Sequence, residues 1–151
     1  MSYASEELKK GVDLLWNGQV SAADEVFEAT KSTDARAALH YAENYWLLAL
    51  VCDINTHQST ATERLKAAKK IGEHSKKAAC KKKAETKADL DAQVDALVVF
   101  GEACMFSGFH QMTSTYDYTK AVMNLKAAWG AFQDVEKLLA AGDVDQELVH
   151  L

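Results

Sequence analysis

Proline is missing from all 151 residues, and glycine occurs only 7 times. Average usage would place roughly 7 prolines in a chain of this size. The residue that most strongly interrupts helices, through its absent N–H and its clash with the preceding turn, therefore never intervenes. Helix is the expected state for most of the chain. Long apolar runs are missing too: the longest, Tyr45 to Cys52 and Ala96 to Phe100, fall well short of the ~18 residues that mark a bilayer crossing. The opening Met1-Ser-Tyr-Ala-Ser-Glu-Glu has neither a basic nor an apolar leader region, so no secretory signal is read there. The expectation is a soluble, intracellular, cytoplasmic protein.

Chemistry-bearing motifs are also lacking. No G-x-S-x-G, P-loop, G-x-G-x-x-G or H-E-x-x-H occurs, which leaves nucleophile, phosphate and zinc-hydrolase chemistries without their starting residues. The three cysteines, Cys52, Cys80 and Cys104, are odd in number and widely spaced. Cys52 and Cys104 lie in apolar stretches and are expected to be inert core thiols of a reducing compartment. Cys80 stands among lysines, which would lower its pKa if it were exposed. Of the five histidines only His150 belongs to a Glu-x-x-His arrangement, with Glu147. A di-iron bundle needs two such motifs and two further carboxylates. His40 with Glu43 reads as an i,i+3 surface pair. Glu102, inside an otherwise apolar helix, reads as a half-buried acid with a structural hydrogen bond. No catalytic residue, metal ligand or cofactor is expected, and the chain reads as a non-enzyme.

What remains is helical periodicity. Ser5-Glu-Glu-Leu supplies an N-cap and first-turn acids, the stripe Leu8, Val12, Leu15, Trp16 follows, and Asn17-Gly18 ends the first helix. A second carries Val20, Ala23, Val26, Phe27 and Thr30; so short a connection makes it an antiparallel neighbour. Asp34 caps a third, whose apolar residues from Ala38 to Cys52 cover more than one stripe and imply burial on two sides. The stretch from Asp53 to Thr60 reads as a break, with Thr60 or Thr62 capping a fourth helix through Leu65, Ala68, Ile71 and Ala79. The period vanishes from Lys81 to Lys87. A broadly buried fifth helix, about Asp89 to Ser107, is ended by Ser107-Gly108. After a loop ending at Ser114-Thr115 a sixth carries Val122, Leu125, Ala128, Trp129, Phe132 and Val135 up to Gly142. The fold class is thus all-α: antiparallel helical hairpins, about six helices, stacked as a solenoid. The expected hairpins occupy approximately 5–32, 34–80 and 89–141 of a single domain over 1–151, with 143–151 read as the start of a further element. Leu65-Lys-Ala-Ala recurs as Leu125-Lys-Ala-Ala, each opening the second helix of a pair; a lone hairpin cannot cover its own apolar face.

Charge is divided unevenly. Residues 63 to 87 hold ten Lys/Arg against three Glu, net +7, while the rest hold seven basic and nineteen acidic residues, net −12. The candidate anion-binding residues are Lys69, Lys70, Lys76, Lys77, Lys81, Lys82 and Lys83, suited to an acidic peptide or an anionic membrane surface. Nucleic acid is not expected, since no aromatic is interleaved with the lysines and Arg64 is the only guanidinium among them. Most aromatics at helical spacing are core. Trp16 and Trp129, near hairpin ends, are the candidate groove aromatics.

Leu15, Gly18, Val20, Ala23 and Phe27 fit tetratricopeptide spacing, with Gly18 at a tight helix approach, Ala23 where helices touch and Phe27 in the groove. Over Leu14-Leu-Trp-Asn-Gly-Gln-Val-Ser-Ala-Ala-Asp-Glu-Val-Phe, Tyr41-Ala-Glu-Asn-Tyr-Trp-Leu-Leu-Ala-Leu, Ala96-Leu-Val-Val-Phe-Gly-Glu-Ala and Ala121-Val-Met-Asn-Leu-Lys-Ala-Ala-Trp, the sequence resembles the tetratricopeptide-repeat-39 family and its fungal relatives, the Iml-type inclusion-body-clearance proteins. The likeness covers most of residues 6 to 140 and corresponds to the N-terminal part of that longer solenoid. It implies a non-enzymatic adaptor in protein or lipid homeostasis, with protein partners and a place at the mitochondrial outer membrane or lipid droplets for some members. The alternatives are a structural segment of a larger or self-associating helical assembly, and a peripheral membrane module that uses the basic helix.

Overall fold

The computed structural model describes residues 5–52 and 54–141, and every regular element among them is helical. The helices are α1 (Glu6–Trp16), α2 (Val20–Thr30), α3 (Ala35–Val51), α4 (Ile54–Ala79), α5 (Lys87–His110) and α6 (Tyr118–Ala141), with a π-helical turn at Gln111–Thr115. Side chains at several helix starts satisfy N–H groups that the helix itself leaves unpaired. Ser5 Oγ accepts from the Leu8 N–H at 3.1 Å. Asp34 accepts from the Arg36 and Ala37 N–H groups at 2.8 and 3.2 Å. Thr86 and Asp89 form a reciprocal capping box. At the end of α1 Gly18 adopts φ +73°, so that Gln19 N–H reaches the Leu14 carbonyl at 2.9 Å and Gly18 N–H the Leu15 carbonyl at 3.0 Å. This left-handed closure, easy only for glycine, sends the chain back along α1.

The chain divides into two compact units between Ile71 and Gly72. In the first, Phe27 of α2 is fully buried among Leu8, Ala23 and Ala37. A Cβ at Gly11 would collide with the Phe27 ring, so glycine there lets α1 and α2 close on each other. Phe27 lies against His40, ring centroids 5.4 Å apart. Tyr45 meets His57 edge-on at 5.7 Å while Tyr41 lies beside Arg64. Along α3 and α4 the partners run in opposite directions, the signature of antiparallel neighbours.

In the second unit Gly72 faces the Phe100 backbone and Gln93 donates to the Ala79 carbonyl at 3.1 Å. A Cβ on Gly101 would stand 2.6 Å from Phe132, and one on Gly108 2.8 Å from Leu125. Again the register is antiparallel, α4 with α5 and α5 with α6. Val94, Leu97, Phe100 and Cys104 pack there with Ala128, Ala131 and Val135. Residues 87–113 are long and apolar enough to cross a membrane by length and composition, but 61% of that apolar window is buried inside the fold, as expected of a core helix.

Both Leu-Lys-Ala-Ala copies turn the same positions inward: Ala68 and Ala128 are buried, whereas Lys66 and Lys126 are exposed. Other expectations are corrected. The fourth helix starts at Ile54 rather than at Thr60 or Thr62, because the Thr62 hydroxyl donates back to the Gln58 carbonyl at 2.8 Å instead of capping. The fifth begins at Lys87 and continues past Ser107-Gly108, since Ser107 donates to the Ala103 carbonyl at 2.7 Å and Gly108 provides a close helix approach. Asp117, whose side chain accepts from the Lys120 N–H at 3.1 Å, leads into α6 in place of Ser114-Thr115. Gly18 serves the turn and meets nothing a Cβ would touch; the close approach is at Gly11. Cys52 is exposed at the end of α3 rather than in a core, whereas Cys104 is buried. Gly142 and the 143–151 element lie outside the described residues.

Candidate functional site

The first unit carries a groove of about 470 Å³. Ala38 and Tyr41 come from α3, and Thr60, Glu63, Arg64, Ala67, Ala68 and Ile71 from α4. Lys31 and Ser32, after α2, complete the lining. The α4 contributors recur at helical spacing, so one face of that helix forms a wall.

Arg64 holds the wall in place. Its guanidinium forms a bidentate pair with Asp24 of α2, at 2.6 and 3.0 Å, and donates to the Tyr41 carbonyl at 3.0 Å. It also lies 3.5 Å from the centroid of the Tyr41 ring and 3.7 Å from that of Tyr45. The planar fork satisfies a carboxylate and stacks on aromatic faces at once, which a lysine ammonium cannot do. A second set of contacts adjoins it: Glu28 accepts from Lys31 at 2.9 Å and from the Tyr41 hydroxyl at 3.1 Å, and Lys31 stands 4.0 Å from the Tyr41 centroid. The bonds from Lys31 and Tyr41 hold the Glu28 carboxyl below its ordinary pKa. Partial burial opposes the charge on Lys31, but its bonds to Glu28 and Tyr41 raise its pKa nevertheless. Together they bind α2, α3 and α4 around a groove with a largely apolar floor.

The lysines singled out from the sequence have varied fates. In the first unit Lys70 is exposed and Lys69 partly so. In the second, Lys76 lies 3.9 Å from the centroid of the Phe100 ring and Lys77 pairs with Glu73 at 2.8 Å. Lys81, Lys82 and Lys83 are exposed in the turn after α4, where the Lys82 carbonyl accepts from Gln93 at 2.8 Å. Trp16 is 85% exposed at the end of α1 and is not among the residues lining the groove; Trp129 is 66% exposed on α6. Burial pushes the Cys80 thiol pKa up and outweighs the opposing effect of Lys76, so the lysines do not lower it although the residue is exposed. His40 and Glu43 form the expected i,i+3 pair at 3.0 Å, though partly buried rather than at the surface. Glu102 is half-buried. His110 is buried, and burial lowers its pKa. Among the described residues no group of three His, Cys, Asp or Glu side chains converges as a metal site would require; Glu147 and His150 lie outside them.

Sequence reasoning missed the central residue. Arg64 was visible only as the one guanidinium in a lysine run; Asp24 and Tyr41, its partners, are 40 and 23 positions away. That departure from lysine was the available signal. No curated protein and no solved structure matches the chain significantly. The family model described as Iml2/Tetratricopeptide repeat protein 39 matches residues 9–147. The chain folds as hairpins of antiparallel helices and nearly its whole sequence lies inside that match, so it belongs to the Iml2/tetratricopeptide repeat protein 39 family.

Proposed function

We propose that this protein is a non-enzymatic helical adaptor whose first-unit groove receives a segment of a partner protein, in the service of protein or lipid homeostasis. The carrying observation is the groove itself: a largely apolar floor held open by the Arg64–Asp24–Tyr41 contacts, on a chain whose family is built for protein interaction. The working place is the cytoplasm, including the cytoplasmic face of an organelle such as a mitochondrion or a lipid droplet. Lysines of α4 and of the turn after it add an attraction for acidic partners.

Ala67 lines the groove yet is exposed, so a tryptophan there fills the space without entering the core. Partners captured from lysate by the wild type are expected to be lost with Ala67→Trp and retained with a tryptophan at exposed Gln133. Loss with neither substitution would count against the groove.

A second reading is favoured by α6, where Val122, Met123 and Trp129 are 64, 67 and 66% exposed. Such a face suits packing on another helix, as in a larger or self-associating assembly. Light scattering over a range of concentrations tests it: a mass that rises and falls back with Trp129→Glu supports assembly, and a constant monomer removes it.

A further inference from the structure

We propose that the first-unit groove selects one kind of protein segment: a bulky apolar side chain flanked by Asp or Glu. This rests on reading the groove as a protein-binding site and adds the chemistry of its occupant. The volume, about 470 Å³, lies within the ~300–1,000 Å³ of ordinary ligand sites. Its floor is made of small side chains, Ala38, Ala67 and Ala68, with Ile71 and the Tyr41 ring. Small residues leave depth, and an apolar floor rewards an apolar anchor, because water leaves both surfaces when they meet.

The edges specify the flanks. On α4, Glu63, Lys66 and Lys70 follow one another at i, i+3 and i+7, so the lysines continue the flank that Glu63 begins; both are exposed. Lys31 borders the groove from the end of α2. Two of the nearby acids are already engaged. Asp24 is bonded to Arg64, and Glu28 accepts from Lys31 and Tyr41. Once Asp24 has neutralised Arg64, the exposed Lys66 and Lys70 outnumber Glu63 along this flank. A basic segment meets repulsion at this edge, and an acidic one meets attraction. Anionic lipid headgroups share the charge but present a flat face. A bilayer touching Lys66 and Lys70 cannot also fill a recessed floor, whereas a side chain projecting from a peptide can.

The test uses the full chain and labelled synthetic peptides, followed by fluorescence anisotropy. One peptide carries a central Phe-Leu anchor between runs of Asp and Glu; a second replaces the acids by Lys; a third replaces the anchor by Ser. The acidic, anchored peptide should bind, and more weakly as salt rises. Removing the anchor, or the substitution Ala67→Trp, should weaken it by about tenfold or more. Lys66→Glu with Lys70→Glu should do the same and flatten the salt dependence. Ser32→Trp, at an exposed position in the lining, provides a second filling variant, and circular dichroism confirms that each variant keeps its helices. Equal binding of acidic and basic peptides overturns the proposal, as does indifference to both filling variants. Binding to phosphatidylserine vesicles that needs Lys66 and Lys70, with no peptide binding, also overturns it by assigning the cations to lipid. If Ala67→Trp removes a captured partner while no acidic peptide binds, the groove reading stands and the charge assignment falls.

Discussion

Arg64 sits in a run of lysines, and a lysine in its place would retain the charge but neither the fork nor the stacking surface. Its side chain and that of Asp24 are both mostly buried, so removing one partner strands the other in a poorly hydrated place. Arg64→Met should therefore destabilise the protein by about 3 kcal/mol. The double substitution Arg64→Met with Asp24→Leu should recover much of that loss, because a buried ion pair often does little better than its apolar replacement. Urea unfolding of the two variants and wild type checks both statements. At this scale the sequence was least legible. Ala23 and Phe27 were recognisable as core from helical spacing, and both are fully buried. The partners of Arg64 were not, since contacts across 20 to 40 positions leave no periodic trace. Cys52 was misjudged for a related reason: its apolar neighbours are the last turn of α3, where Val51 is 81% exposed, and hydropathy does not show where a helix runs out of neighbours.

Glycines separate the elements by what a methyl group would meet. At Gly108 it would press on Leu125 and the Ala121 carbonyl, while at Gly130, within α6, nothing lies within 4 Å. Gly108→Ala should thus cost about 1–3 kcal/mol through forced separation of α5 and α6. Gly130→Ala should add about 0.5–1 kcal/mol, because alanine loses less backbone entropy in a helix. Thermal unfolding of the pair measures two like substitutions with opposite signs. The number and order of the helices were readable from apolar spacing and caps, and Asp34 caps as expected. Apart from the start of α5, at Lys87 rather than Asp89, the misplaced boundaries involve hydroxyl residues or glycine taken as caps or stops. Thr62 and Ser107 bond to carbonyls of their own helices, and Gly108 is used for closeness. Each of these residues has two uses, and only the neighbouring helix decides between them.

At the scale of the whole molecule, charge governs the response to pH. The fold lowers the carboxyl pKa of Asp89 through its bonds with Thr86 and Glu85, of Asp117 and Glu73 through Lys120 and Lys77, and of Glu28 through Lys31 and Tyr41. A depressed carboxyl contributes stability that is complete above its unfolded pKa, about 4, and is lost as pH falls through the lower folded value. His110 adds an earlier limb of the same sign. Burial keeps it neutral, so stability should begin to fall below about pH 6.5, where an unfolded histidine gains its proton. The melting temperature should decline gently from pH 7 to 5 and more steeply below 4, and Asp89→Asn should flatten the acid limb. A flat wild-type profile would contradict these assignments. The division of charge along the sequence was legible. That Lys76 lies over Phe100, and Lys77 on Glu73, was not, because each lysine's use depends on what packs beside it.

The adaptor reading rests on occupation of the first-unit groove, and a photo-cross-linking amino acid placed at Ala67 in the full chain examines that directly. Irradiation in lysate should convert the 16.6 kDa chain into discrete heavier adducts, while the same group at exposed Gln133 of α6 should give few or none. Adducts of equal yield at both positions, or at Gln133 alone, would contradict the account and move the interaction surface to α6.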